Sequence, residues 1–456
     1  MRTFSDLSRD QKEATALLQV GTFLEYFDLM LYVHMAVLLN ELFFPKTDPK
    51  TQALMTAFAF CSTYLLRPFG ALIFGYIGDN VGRKATIILT TAIMSISCIV
   101  MATLPTYAQV GITAAWTVTA CRIAQGLSSM GEVIGAQIYL TEITKPPFRY
   151  FAGDLTSVCS AVGGFAALLV ASLATMNGFN WRIAFWMGAA IALVGSVART
   201  RLRETPEFVD VQRKLKIALR EAKAQGLEKV SDLLMAEKIN KGYNKPSLKM
   251  QAAYFIICLV WPACFYFTYV HCANILKTEC GLTPEEVIHQ NLIVSIIHSA
   301  AFLFYLFLSL RVHPFRIIKI RSYIYITFIL LCPYYLTQSI TQFSIFIVQI
   351  TSIVFALSGV PGNSIFISHF PVFKRFTYTS FMYALSRALM YVITSFSLVL
   401  LIEKFSHYGI LIIMLPLAFG FLWSIAYFEK KEKEFGDLSK IYHDPLTSHL
   451  SQPWQP

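Results

Sequence analysis

The residues that could do chemistry lie inside apolar stretches. Between Ala14 and Leu39 the chain carries Gly21, Glu25, Asp28 and Tyr32, spaced four, three and four apart. On a helix that spacing puts all four on one face. Arg67 stands twelve residues before Asp79, and Arg122, Gln125, Ser129 and Glu132 again share one face of a later stretch. An ionisable group in an apolar medium is costly, and it usually marks a pathway. A carboxylate beside an arginine can hold or release a proton as the arginine moves. Glu25, Asp28 and Glu132, with Arg67 and Arg122, are therefore the proton-coupling candidates. The alternative is that they pair and only hold helices together.

Arg387 poses a different problem. It lies twelve residues after Arg375, roughly 18 Å into its apolar stretch at 1.5 Å per residue. From Met250 onward no Asp or Glu falls within an apolar run; Glu279, Glu285, Glu286 and Glu403 sit between runs. Arg387 can pair with Glu25 or Asp28, be held by helix-end carbonyls near Gly359–Asn363, or receive an anionic solute. A guanidinium matches a carboxylate with two parallel hydrogen bonds, which favours the solute. The substrate-binding candidates are Arg387, Tyr32, Gln125, Trp261, Tyr266 and Asn363.

The elements that must position these groups are membrane spans. The chain has 456 residues, 55% hydrophobic and only 14% charged, with mean hydropathy +0.55. A soluble domain carries about 25% charged residues. A span needs about 20 apolar residues. Such runs predict twelve helices: 14–39, a second ending at Asp79, 85–104, 110–143, 152–175, 181–197, 250–276, 291–310, 317–336, 341–367, 376–401 and 410–428. The fold class is all-α, with two six-helix pseudo-symmetric bundles. The division is 1–198 and 250–428, joined by a linker at 199–249 and followed by a tail at 429–456. In the linker Val211, Leu215, Ala218, Leu219 and Ala222 predict an amphipathic helix. Gly359-Val-Pro-Gly-Asn363 predicts a break in the tenth helix.

Gly75-Tyr-Ile-Gly-Asp-Asn-Val-Gly-Arg-Lys84 is a tight charged hairpin between two spans. Turns on its side hold Arg83, Lys84, Lys145, Arg149, Arg311, Arg316, Lys319, Arg321, Lys374 and Arg375. The opposite turns hold only Lys46, Lys50, Arg182, Lys277 and Lys404. The bias places the hairpin and both termini in the cytoplasm. The net charge of +11 lies in loops, not in a stripe with stacking aromatics, so nucleic acid is not implied. The nine cysteines are scattered singly, which reads as core filling rather than a metal site or disulfide framework. His298 reads as a satisfied buried histidine.

The hairpin is similar to the loop signature of the major facilitator superfamily. Within it the chain resembles the metabolite:proton symporters, a group that includes proline/betaine, dicarboxylate and shikimate carriers. The similar segments are Gly21-Thr-Phe-Leu-Glu-Tyr-Phe-Asp28, Arg67-Pro-Phe-Gly70, Arg122-Ile-Ala-Gln-Gly126, Gly131-Glu-Val-Ile-Gly135, Trp181-Arg-Ile-Ala-Phe185 and Arg201-Leu-Arg-Glu-Thr-Pro-Glu-Phe208. They cover the first half densely. The resemblance implies a latch between the halves at Asp79 and Arg83, with Gly75 and Gly82 allowing close approach. The second half departs. Arg311-Val-His-Pro-Phe-Arg-Ile-Ile-Lys319 replaces the family's repeated acidic turn, and Ser368-His-Phe-Pro371 replaces its Glu-x-Phe-Pro. The contact between halves is therefore expected to be asymmetric.

The expected function is a proton-coupled secondary transporter that imports a small polar, carboxylate-bearing metabolite by alternating access. Its partners would be a small-molecule substrate, protons and the lipid bilayer, with no cofactor. Its place would be a bacterial inner membrane, as a monomer. An exporter or antiporter, for example of a siderophore, is the alternative within transporters. A non-transporting sensor is the alternative outside them. No nucleophile motif, phosphate loop or metal cluster implies an enzyme.

Overall fold

A computed structural model describes residues 8–35, 39, 42–44, 49–174, 180–210, 212–213, 217, 246–338 and 340–441. The amphipathic stretch expected after Val211 lies largely outside the described residues, as does the end of the tail. Among the described residues every regular element is helical.

The first half holds α1 (Arg9–His34), α2 (Pro49–Asn80), α3 (Arg83–Thr103), α4 (Ile112–Ile143), α5 (Phe148–Ala174) and α6 (Arg182–Arg199). The second holds α7 (Leu248–Tyr266), α8 (Pro284–Ser309), α9 (Pro314–Gln338), α10 in two pieces (Gln342–Val354 and Asn363–Ser368), α11 (Val372–Phe405) and α12 (Gly409–Ile441). Five of these segments are long and apolar enough to cross a membrane on length and composition alone. α1, α2, α4 and α11 carry the buried charges singled out above. The protein is a multi-pass membrane protein with two six-helix bundles.

Local chemistry sets the ends. Gly82 joins α2 to α3 at φ 144°, a conformation that suits glycine. α8 starts earlier than its apolar run because Thr283 and Glu286 form a reciprocal cap ahead of it. α7 continues through a π turn, Phe267–His271, into Cys272–Thr278. α10 breaks over 355–362, where Gly359, Pro361 and Gly362 fall. α12 differs from the expected end at Phe428. It runs on to Ile441, tied to its neighbours by Lys319–Glu429 at 2.5 Å and His369–Glu432 at 3.2 Å.

Each half has a core, and that of the second half also takes in Val133, Ile134, Ile138 and Tyr150 of the first. Phe27, Leu31, Met101, Val118 and Phe185 centre the first. Phe267, Tyr325, Ile329, Met414 and Phe421 centre the second. The halves meet where α2 packs on α11 and α5 on α8. A cavity remains between them.

Candidate functional site: a cavity between the halves

The cavity has a volume of about 380 Å³ and is lined from both halves. Tyr26, Arg67 and Gln137 come from the first half, and Trp261, Asn363 and Arg387 from the second. Its lining contains two arginines and, among the described residues, no aspartate or glutamate. An electropositive, aromatic-walled cavity of this size suits a small solute with an anionic group.

Arg387 is nearly buried, and its guanidinium stacks over the Tyr383 ring at 3.7 Å. Among the described residues it forms no ion pair and no hydrogen bond. The carbonyls of the α10 break go to another arginine. Arg321 donates to Val360 O at 2.7 Å and Ala356 O at 2.5 Å. Of the three expected arrangements for Arg387, neither the acid pair nor the carbonyl pair is present. Its charge faces the cavity.

The first-half charges sort into three separate sites. Glu25 faces Arg67 at 3.4 Å, with both side chains buried. Arg67 lines the cavity and lies over the Tyr64 ring at 4.8 Å. Asp28 takes Arg122 at 3.6 Å and the Cys98 thiol at 3.4 Å. Arg122 also donates to Gln125 at 2.8 Å and lies over the Tyr32 ring at 4.0 Å. Tyr32 and Gln125 thus belong to this cluster and do not line the cavity. Glu132 lies away from the cavity as well. It is held by Arg199 and by the hydroxyls of Thr90 and Thr91.

Among the second-half candidates, Trp261 and Asn363 line the cavity and Tyr266 does not. Trp261 packs on His298 at 5.2 Å, and His298 on Phe302 at 4.4 Å. The His298 Nε2 has no hydrogen-bond partner, so the expectation of a satisfied histidine is corrected.

The residues expected to form a latch join the two halves on one side of the molecule. Asp79 accepts from the Phe376 and Thr377 amides of α11 at 3.0 and 2.9 Å. Arg83 donates to Val372 O at 2.5 Å and pairs with Glu142 at 3.1 Å. Glu142 also takes Arg375 at 2.8 Å, and Arg375 takes Glu207 at 2.8 Å. At Gly75 an added Cβ would stand 2.7 Å from the Thr377 Cα, so a side chain there would push α2 off α11. At Gly82 it would collide with the Glu204 carboxylate, which caps the Arg83 amide at 3.0 Å.

Sequence reasoning missed several of these partners. Arg199 falls at the start of the expected linker, yet it is buried at the end of α6. Gly21 was its signal, since an added Cβ there would overlap the Arg199 guanidinium. Arg321 reads as a turn base from the sequence but is buried at the α10 break. Glu204 and Glu207 lie in the Arg201–Phe208 segment, whose sequence gives them no evident partner.

The chain matches the Major Facilitator Superfamily over residues 18–395. It is 34% identical over 231 residues to a proline/betaine transporter of Salmonella typhimurium, covering 49% of this chain and 46% of that protein. It is 36% identical over 200 residues to the inner membrane metabolite transport protein YhjE of Escherichia coli, covering 42% and 46%. The chain thus spans about half the length of the curated relatives it matches. Its fold is similar to the proton:xylose symporter XylE, at a TM-score of 0.72 and 14% identity over 92% of this chain and 95% of that one. To the inward-open conformation of XylE the TM-score is 0.56.

Proposed function

The chain belongs to the Major Facilitator Superfamily, and from that premise we propose that it is a proton-coupled importer of a small carboxylate-bearing solute. In this account the Asp79 side faces the cytoplasm, and the contacts of Asp79, Arg83 and Arg375 across the halves support a state closed on that side. The single observation that carries the substrate class is Arg387. A guanidinium at the wall of an inter-half cavity, with no acidic partner among the described residues, is ready to take a carboxylate in two parallel hydrogen bonds.

Glu25 is the proton carrier in this account. Asp28 and Glu132 each have several donors to hold their charge, whereas Glu25 has one arginine and accepts no hydrogen bond. Protonating Glu25 releases Arg67, which lines the same cavity as Arg387. Proton and solute then bias the same equilibrium between the two openings of the cavity, as coupled transport requires.

The test is uptake into proteoliposomes carrying the purified protein. Radiolabelled organic acids, amino acids and betaines are offered with and without an inward proton gradient. Gradient-stimulated uptake of at least one carboxylate solute, abolished by an uncoupler, is the expected result. Uptake that ignores the gradient contradicts proton coupling, and uptake confined to solutes without an acidic group contradicts the substrate class.

A further inference from the structure

The break in α10 is held from two directions, and one of the two hands belongs to the other half. Arg321 of α9 takes the carbonyl end, at Ala356 and Val360. The amide end goes to Asp154 of α5. Asp154 accepts from the Asn363 backbone amide at 3.2 Å and from the Asn363 side-chain amide at 2.5 Å. One residue further on, the Ser364 hydroxyl donates to Arg149 O at 3.1 Å. Asp154 is fully buried and, among the described residues, forms no ion pair. The approach is close enough that a Cβ at Gly153 would overlap the Ser364 hydroxyl.

Asn363 occupies two environments at once. It lines the cavity, and it bonds across the interface to Asp154. Asp154 lies six residues from the turn-side end of α5 and Asn363 five residues from that of α10, about 9 Å and about 7.5 Å by helical rise. The contact therefore sits between the cavity and the closed side. It joins a different pair of helices from the Asp79 contact, which joins α2 to α11.

We infer that Asp154 and Asn363 form a second cytoplasmic latch, with Asn363 as the positioning residue that ties the latch to the cavity. When the halves part on the cytoplasmic side, Asp154 loses both hydrogen bonds. A buried carboxylate without donors is expensive, so this contact favours the closed state. A solute that takes the Asn363 amide for itself competes with Asp154 and loosens the latch from within. The inference rests on the alternating-access reading above.

The test reads accessibility and needs no identified solute. A cysteine replaces Ser160, which lines the cavity on α5. Inside-out vesicles are then labelled with a membrane-impermeant maleimide. The protein without that cysteine gives the background, and Asp79→Asn is the reference for opening. Asp154→Asn is expected to raise labelling several-fold, because it places two amide donors against each other. Asn363→Ala should do the same, and so should Gly153→Ala, which acts by steric displacement alone. The exchanged pair Asp154→Asn with Asn363→Asp restores a donor opposite an acceptor, and it should bring labelling back towards the parent. A merely structural lesion would not be rescued by that exchange. If Asp79→Asn opens the cavity while Asp154→Asn and Asn363→Ala label like the parent, the second latch is wrong and alternating access stands. If none of the variants, Asp79→Asn included, changes labelling, the alternating-access reading falls and the latch with it.

Discussion

Glu25 and Arg67 face each other at 3.4 Å between α1 and α2, and Glu25 accepts no hydrogen bond. Compared with Asp28–Arg122 and Glu132–Arg199, the pair is the least supported. That contrast separates a switch from a strut. A charge pair that stays in place needs donors for its remaining lone pairs, and Glu25 has none.

Glu25→Gln mimics the protonated acid and fixes it. The variant should lose gradient-driven accumulation by at least about tenfold, equivalent to about 1.4 kcal/mol of coupling. Solute exchange across the same proteoliposomes should persist, since exchange needs no net proton movement. Loss of both activities, or loss of neither, would place the proton elsewhere.

Glu132→Gln should behave differently. Glu132 is held by Arg199 and by Thr90 and Thr91, away from the cavity. Removing its charge leaves Arg199 buried without its acid. The expected cost is about 3 kcal/mol of stability, read as a lowered unfolding midpoint in detergent. Per folded molecule, the response of uptake to the gradient should be kept. A normal unfolding midpoint combined with uncoupled uptake would assign the proton to Glu132 instead.

Asp79→Asn should shift the protein towards states open on the cytoplasmic side. Asp79 accepts two amides of α11, and an amide side chain can accept only one of them well. Cysteine reporters in the cavity should then label faster from the cytoplasmic side and slower from the outside. The shift is limited by the remaining bonds of Arg83, Glu142 and Arg375. An unchanged ratio of labelling from the two sides would remove Asp79 from the latch.

Much of the architecture was legible because membrane spans are simple signals. Long apolar runs between charged turns placed the helices, and Gly359-Val-Pro-Gly-Asn363 marked the break in α10. The ends were less legible where polar residues continue a helix, as in the first turns of α8 and in α12 beyond Phe428. Pairing was the least legible part. Spacing put Glu25, Asp28 and Tyr32 on one face, yet Glu25 meets Arg67 while Asp28 and Tyr32 meet Arg122. Arg199 and Arg321 read as loop bases because they lie at or near the ends of apolar runs. Depth along a helix follows from counting residues, but the direction a side chain faces depends on the neighbouring helices. Glu204 and Glu207 show the same limit from outside the membrane, since their partners lie far away in the chain.

The central claim is that Arg387 is the carboxylate anchor, and Arg387→Lys tests it most directly. The variant keeps the charge and loses the planar fork that makes two parallel hydrogen bonds. Equilibrium binding of a transported carboxylate solute to the purified protein is the measurement. The account predicts at least about tenfold weaker binding, or about 1.4 kcal/mol, as expected for the loss of one charge-assisted hydrogen bond. Binding of that solute to Arg387→Lys as tight as to the unaltered protein would contradict the account.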